Sequence, residues 1–120
     1  MVESMSHHGS CHCGQFRYRV ETELAQVISC NCSICQRKGQ LLTFVTPDAF
    51  ELLSGKESDL TIYQFNKRVI SHAFCPVCGI SSFGWGTGRD GNKMFSINAR
   101  CLEDIDLKSL NIVEFDGKSR

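Results

Sequence analysis

The feature that most constrains this chain is the spacing of its cysteines. Eight cysteines occur in 120 residues, and seven of them fall into three tight groups. The groups are Cys11-His12-Cys13-Gly14, Cys30-Asn31-Cys32-Ser33-Ile34-Cys35 and Cys75-Pro76-Val77-Cys78-Gly79, with Cys101 standing apart. Residues 1–10 lack an apolar leader of the signal-peptide kind, so we expect a cytoplasmic protein. Thiols stay reduced there, which favours metal binding over disulfides.

The first and third groups predict a closed metal site. Two cysteines separated by one or two residues can turn both sulfurs toward one metal ion, and Gly79 can adopt a positive φ that lets its N–H approach a bound sulfur. One such pair cannot complete a tetrahedral zinc site. We therefore expect both pairs to share one structural zinc that staples a small domain. Its ligands would be Cys11, Cys13, Cys75 and Cys78.

The central group predicts a second zinc of a different kind. Cys30, Cys32 and Cys35 offer three sulfurs from six consecutive residues, which leaves a fourth zinc position for water or substrate. An open position is typical of catalytic zinc. Because a zinc on three thiolates is a weak Lewis acid, it suits a soft incoming ligand such as a thiolate. We therefore expect two zinc ions per chain.

Other roles for these residues stay open. His72 or Cys101 could supply a fourth ligand and close the central site. His12 and His72 could instead lie beside a metal site or at the surface, and Cys101 could be a buried small hydrophobe. The spacing of Cys75 and Cys78 also occurs in redox disulfides, although no βαβ pattern surrounds it.

Charge and apolar content narrow the class of protein. The chain has 13 basic and 13 acidic residues, so it lacks the cationic excess typical of nucleic-acid binding, and we expect no nucleic-acid partner. No apolar stretch approaches the length that spans a bilayer, so we expect no membrane association. The 42% apolar content suits one folded domain over residues 1–120, with a core of about 8–115. Nothing in the sequence indicates an oligomeric state.

Hydrophobic patterning predicts short strands separated by turns. Residues 15–21 alternate apolar and polar side chains, as in a half-buried strand. Further strands are expected at 25–29, 41–45, 50–53, 60–65 and 69–74, and in a hairpin of 81–85 and 93–99. Helix is expected at 33–38 and near 104–110, a turn at 84–88, and a flexible start at 1–10, including His7 and His8. The expected fold is mainly β, a small zinc-stabilised antiparallel domain.

Four segments occur in one order along the chain: HGSCHCG at 8–14, SCNCSIC at 29–35, FCPVCG at 74–79 and NARCL at 98–102. Together they resemble the glutathione-dependent formaldehyde-activating enzyme family, which includes the centromere protein V type. The resemblance implies a β-tent zinc fold and a carbon–sulfur lyase. It assigns a structural zinc to Cys11, Cys13, Cys75 and Cys78, and a catalytic zinc to Cys30, Cys32 and Cys35.

The resemblance also implies a reaction. The enzyme that names the family joins formaldehyde to the thiol of glutathione, giving S-hydroxymethylglutathione, so the expected partner is a small-molecule thiol. Arg37, Lys38 or His72 are candidates to steer an anionic thiol. Two other functions fit the same residues: a non-catalytic zinc-stabilised binding module of the centromere type, and a redox sensor that loses its central zinc on oxidation.

Overall fold

Strands account for most of the regular structure. The computed structural model describes residues 5–22, 24, 26–31, 33–64, 70–87, 91–103 and 105–116. Its strands are β1 (Met5–Ser10), β2 (Arg17–Thr22), β3 (Val27–Cys30), β4 (Leu42–Val45), β5 (Phe50–Ser54), β6 (Thr61–Tyr63), β7 (Ile70–Phe74), β8 (Phe83–Thr87), β9 (Lys93–Asn98) and β10 (Ile112–Phe115). The helices are α1 (Ser33–Lys38) and the short 3-10 turns Pro47–Ala49, Glu57–Asp59, Ala99–Cys101 and Leu107–Ser109.

These strands form a small and a large sheet. The small sheet is antiparallel, in the order β1-β2-β5. The large sheet has the order β10-β3-β4-β9-β8-β7-β6, and its neighbours are antiparallel except for β10 and β3. This parallel pair ties the end of the described chain to the strand that ends at Cys30. The mainly β, antiparallel fold predicted from the sequence is confirmed.

The main core lies between the two sheets. In β2, Tyr18 and Val20 are fully buried while Arg17 and Glu21 are exposed, as the alternation predicts. The two apolar side chains pack against buried residues of the large sheet and its connections, among them Val27, Leu41, Val45, Phe83, Phe95 and Ile97. The Tyr18 hydroxyl donates to the carbonyl oxygen of Ser82 at 3.3 Å, which satisfies the buried phenol.

A second, smaller core contains cysteines. Phe16 is fully buried together with Cys11 and Cys75. Leu60 and Cys78 pack against them. Burial of one aromatic ring therefore already brings the first and third cysteine groups together.

Several expectations about secondary structure are confirmed. The helix at 33–38 is present, β8 and β9 pair as the expected hairpin, and a 3-10 turn at Leu107–Ser109 lies in the expected segment 104–110. The expected strands 25–29, 60–65 and 69–74 include Ala25, Phe65 and Val69, which lie outside the described residues.

Other expectations are wrong. Residues 5–10 are not a flexible start, because they pair with β2 as strand β1, and His7 is buried. The polar composition of this segment concealed a strand that depends on a partner for its stability. Residues 84–87 belong to strand β8 and do not form a turn. Strand β10 is not predicted, although Ile112, Val113 and Phe115 are residues that favour strands.

In the described part of the chain, no helix has the length and apolar character needed to cross a membrane.

Candidate metal centre and neighbouring cleft

Four cysteine sulfurs converge beside Phe16. The Sγ atoms of this four-cysteine cluster (Cys11, Cys13, Cys75 and Cys78) all lie within 4.8 Å of one another. The Sγ of Cys13 lies 3.6 Å from the Sγ atoms of Cys11 and Cys75. Four sulfurs bound at about 2.3 Å to a tetrahedral zinc would lie about 3.8 Å apart. The donor atoms and the distances between them therefore fit a metal ion. The structure brings together the same four cysteines that the sequence predicts as one site.

Backbone N–H groups point at the sulfurs of this cluster. The N–H of Phe16 donates to the Sγ of Cys11 at 3.5 Å, and the N–H of Val77 donates to the Sγ of Cys75 at 3.4 Å. The first cysteine turn (residues 11–16) and the second cysteine turn (residues 75–79) therefore each supply a backbone N–H to the sulfur of their first cysteine. Such bonds stabilise a thiolate relative to a thiol, and thiolates are the form that binds a metal.

Gly79 closes the second cysteine turn. Its φ of +78° lies in the left-handed region, as expected, and its N–H donates to the carbonyl oxygen of Cys75 at 2.9 Å. The expected approach of this N–H to a sulfur is therefore replaced by a backbone bond. A Cβ at this position would meet nothing within 4 Å, so the backbone conformation, and not space, requires glycine.

The four thiols differ in their tendency to ionise. Burial raises the pKa of Cys78, but the N–H groups of Cys13 and Ile80 and the neighbouring thiols outweigh burial and lower it to about 6. The N–H of Gln15 lowers the pKa of Cys13, but desolvation and the adjacent thiols, that of Cys75 first, raise it to about 11. Like charges close together cannot all persist unaided. A cation at the centre would allow all four sulfurs to be thiolates.

Cys101 lies near this cluster without joining it. It ends the 3-10 turn Ala99–Cys101 and is half-buried. Burial, then the negative charges of Cys11 and Cys78, raise its pKa to about 11, so it is a neutral thiol at pH 7. Among the residues that the structure describes, the four-cysteine cluster is the only group of three or more metal-ligating side chains.

The central segment (Cys30, Cys32 and Cys35) lies where β3 leads into α1. Cys30 is the last residue of β3 and is half-buried, and Cys35 is buried within α1. Cys32 lies outside the described residues. The end of β3 is held by β10, since the N–H of Asn31 donates to the carbonyl oxygen of Phe115 at 3.1 Å. The two described ligand candidates thus belong to consecutive elements.

A cleft of about 400 Å³ lies between the end of α1 and the second cysteine turn. Its lining includes Lys38, Gln40, Phe74, Ile80, Ser81 and Asn98. Gln40 connects the cleft to the central segment, because its Nε2 donates to the Sγ of Cys35 at 3.7 Å. The lining combines a cation, amides, a hydroxyl and apolar surface, which is typical of a site for a small polar molecule.

Asn98 ties the two walls of the cleft together. Its Oδ1 accepts hydrogen bonds from the N–H groups of Leu41, at 3.4 Å, and Arg100, at 3.2 Å. Its Nδ2 donates to the carbonyl oxygen of Ser81 at 3.2 Å. Leu41 follows Gln40 in the chain, and Ser81 follows the second cysteine turn. One side chain therefore fixes segments that belong to both cysteine regions.

The two candidate histidines occupy different environments. His72 is half-buried on β7, and burial followed by the positive charge of Lys38 lowers its pKa below the usual range, so it is neutral at pH 7. Lys38 at the end of α1 and Phe74 at the end of β7 line the same cleft, so these two elements lie near each other. His12 is exposed. Within the described residues, neither histidine joins a group of metal-ligating side chains.

Gln40 and Asn98 are the site residues that the sequence does not reveal. Asn98 stands in the NARCL segment that contributes to the family resemblance, but its contacts with Leu41 and Ser81 exist only in the folded chain. Gln40 belongs to no motif. Its position two residues after the predicted helix 33–38 is the only available signal, since a side chain there can fold back on the helix.

Comparison with known proteins supports this description. The family model described as glutathione-dependent formaldehyde-activating enzyme matches residues 6–113. The chain is similar to a Rhodobacter sphaeroides protein of known crystal structure, with 28% sequence identity and a TM-score of 0.74. That match covers 91% of this chain and 100% of the other. The match along most of its length shows that the chain belongs to the glutathione-dependent formaldehyde-activating enzyme family.

Proposed function

We propose that this chain is a zinc-dependent enzyme of the carbon–sulfur lyase kind, acting on a glutathione-like thiol and a small electrophile such as formaldehyde. The cleft is the observation that carries the proposal. One of its lining residues, Gln40, contacts Cys35, and another, Lys38, supplies a cation for an anionic substrate. Family membership supports the same chemistry. A reducing cytoplasm suits a protein that depends on so many thiolates.

Two zinc ions per chain would divide the work. The four-cysteine cluster has the all-thiolate donor set of a closed structural zinc. Cys30, Cys32 and Cys35 would hold the catalytic zinc and leave one position open. When bound there, zinc would lower the pKa of an incoming thiol and so favour its nucleophilic thiolate form.

The residues of the cleft would bind and orient the thiol. Lys38 would pair with a substrate carboxylate, and the apolar surfaces of Phe74 and Ile80 would exclude water from the reacting atoms. Asn98 would keep both walls at a fixed separation, because it bonds to a segment on each side. Holding the thiol close to the electrophile converts an encounter in solution into a reaction between neighbours.

The proposed reaction is an addition. The substrate sulfur forms a bond to the carbonyl carbon of formaldehyde while the carbon–oxygen π electrons move to oxygen. That oxygen takes up a proton, and the thiol gives up its own, so the product is the S-hydroxymethyl adduct and nothing leaves. Since both reactants end in one product, the main contribution of the site is proximity.

Metal counting combined with X-ray absorption tests this function. We expect two zinc ions per chain and an average of about 3.5 sulfur ligands per zinc, rising to about 4 when glutathione is added. S-methylglutathione, which has no free thiol, is the matched control and should leave the average unchanged. One zinc per chain, or two that do not respond to glutathione, would contradict the proposal. Two zincs each bound by four protein ligands would favour a binding module.

The role of Lys38 has a separate test. Lys38→Met should raise KM for glutathione about fivefold, because one charge-assisted contact of about 1 kcal/mol is lost. The neutral thiol 2-mercaptoethanol should react with unchanged kcat/KM. Lys108→Met removes an exposed cation that does not line the cleft and serves as the control. Equal losses with both thiols would show that Lys38 does not recognise the substrate charge.

A further inference from the structure

We propose that Gln40 is a positioning residue whose amide holds the sulfur of Cys35 as a metal ligand at the wall of the cleft. The inference rests on the proposed function, since that function makes Cys35 a ligand of the catalytic zinc. Gln40 has no place in the cysteine groups or in the segments that carry the family resemblance. The role of Gln40 is inferred from its contact with Cys35 and from the burial of its side chain.

Gln40 is a buried polar side chain with a specific partner. Only 8% of its surface is exposed, and its Nε2 donates to the Sγ of Cys35 at 3.7 Å. Removing a primary amide from water is costly unless its polar atoms are bonded. The sulfur of Cys35 is therefore a partner that satisfies this buried amide, and the bond is strongest when the sulfur is a thiolate, as it would be in a metal ligand.

The backbone on both sides of Gln40 is anchored. The N–H of Gly39 donates to the carbonyl oxygen of Cys35 at 3.0 Å, and the Nε of Arg100 donates to the carbonyl oxygen of Gly39 at 3.1 Å. On the other side, the N–H of Leu41 donates to the Oδ1 of Asn98 at 3.4 Å. The amide therefore approaches Cys35 from a fixed direction and does not depend on a mobile loop.

A fixed donor of this kind has two effects on a ligand sulfur. It selects the orientation in which the sulfur faces the metal, and it withdraws electron density from the thiolate. Groups that orient metal ligands in this way are commonly worth 10–100-fold in metal affinity. In the four-cysteine cluster the sulfurs of Cys11 and Cys75 receive backbone donors instead, from Phe16 and Val77. Gln40 donates to Cys35 from its side chain, so substitution can remove this bond without altering the backbone.

The test compares Gln40→Leu with Gln36→Leu in the zinc-loaded full chain. Leucine keeps much of the glutamine volume and removes the N–H, and Gln36 is an exposed glutamine on α1, the helix that carries Cys35. We expect Gln40→Leu to release one of its two zinc equivalents to a chromogenic chelator at least tenfold faster, with the other unchanged. With cobalt in place of zinc, its sulfur-to-metal charge-transfer band should move to lower energy. Gln36→Leu should match the wild type in both measurements.

The outcomes separate this inference from the proposed function. If the wild type binds two zincs and both variants release them at the wild-type rate, Gln40 has no positioning role and the proposed function stands. If the wild type binds one zinc, both ideas are overturned. Should leucine lower the melting temperature, Gln40→Met, which is unbranched like glutamine, takes its place with the same two readouts. Loss of both zincs together in that variant would show a structural role only.

Discussion

The four-cysteine cluster and the central segment group their cysteines in opposite ways. In the cluster, Cys13 and Cys75 are 62 residues apart in sequence and are joined through a buried ring and backbone donors. The central segment places its three candidate ligands within six consecutive residues beside a cleft. A metal that joins distant segments contributes strongly to folding, because it closes a long loop. A metal held by neighbouring residues closes almost no loop and contributes little to folding. Such a site is therefore free to leave a metal position open for a substrate.

The largest effect should follow from opening the cluster. Cys78→Ser removes one of four thiolates, and structural zinc sites contribute on the order of 10–16 kcal/mol of binding free energy to folding. That exceeds the total stability of most domains of this size. We expect loss of the cooperative thermal transition, measured by circular dichroism. Cys101→Ser, at a half-buried cysteine outside the cluster, should retain both zincs and the transition. A folded Cys78→Ser chain would mean that the cluster is dispensable.

Opening the central site should abolish activity while keeping the fold. Cys32→Ser should lower kcat/KM at least 100-fold, because only two thiolates remain to hold the catalytic zinc. Zinc content should fall from two to one per chain. The melting temperature should stay within about 5 °C of the wild type, because a zinc held by neighbouring residues closes almost no loop and its loss is expected to cost about 1 kcal/mol. Paired assays of adduct formation, metal content and melting decide the matter. An unfolded Cys32→Ser chain would make the central zinc structural and remove the contrast between the regions.

Two glycines allow a matched comparison of smaller effects. Gly79 follows the second cysteine pair with φ +78°, and Gly39 follows α1 with φ +65°; in both, a Cβ would meet nothing within 4 Å. Alanine should therefore cost each position about 1–2 kcal/mol through backbone strain alone, measured by urea denaturation. Gly79→Ala should speed zinc loss from the cluster, and Gly39→Ala from the central site. Faster loss of the same zinc in both variants would mean that the two sites are not independent.

The smallest effect concerns His72, where the two regions meet. Because burial and then Lys38 lower its pKa below the ordinary 6.5, its NMR titration midpoint should lie below 6.5. Lys38→Met should raise the midpoint but leave it below 6.5, since burial is the larger cause. The contribution of His72 to stability is complete above pH 6.5 and is lost as the pH falls, because the unfolded chain binds the proton first. Lys108→Met should not move the midpoint. If the midpoint of His72 does not move in Lys38→Met, the charge of Lys38 does not act on His72, and the end of α1 is not as close to β7 as the structure has it.

The sequence predicts best what is decided locally. The in–out alternation of β2 is visible because Tyr18 and Val20 must face the core, and the cysteine pairs are visible because ligand spacing is a property of a turn. Strand β1 escapes detection, since its residues are polar and its structure depends on pairing with β2. Strand β10 (Ile112–Phe115) is not predicted although three of its four residues are apolar, because the run is short and its side chains are exposed in the fold.

The candidate site likewise contains residues that the sequence predicts and residues that it does not. Metal-ligating residues can be recognised by type and spacing, whereas Asn98 acts through a contact 57 residues away in sequence. Gln40 contacts Cys35, only five residues earlier in the chain. The contact depends on where α1 ends, and helix ends cannot be predicted to the residue from sequence. Residues that position ligands are therefore harder to predict than the ligands themselves, because their roles are created by tertiary contacts.

The long separation between the two halves of the cluster has a consequence for how the protein is made. Cys11, Cys13, Cys30, Cys32 and Cys35 all leave the ribosome before Cys75 and Cys78. A zinc captured at that stage by Cys11 and Cys13 together with thiols of the central segment would be held by residues that do not belong to one site in the finished molecule. Maturation of such a chain would then require ligand exchange, in which Cys75 and Cys78 displace the central thiols. The rate of metal delivery relative to translation should therefore govern how much newly made protein reaches its native form.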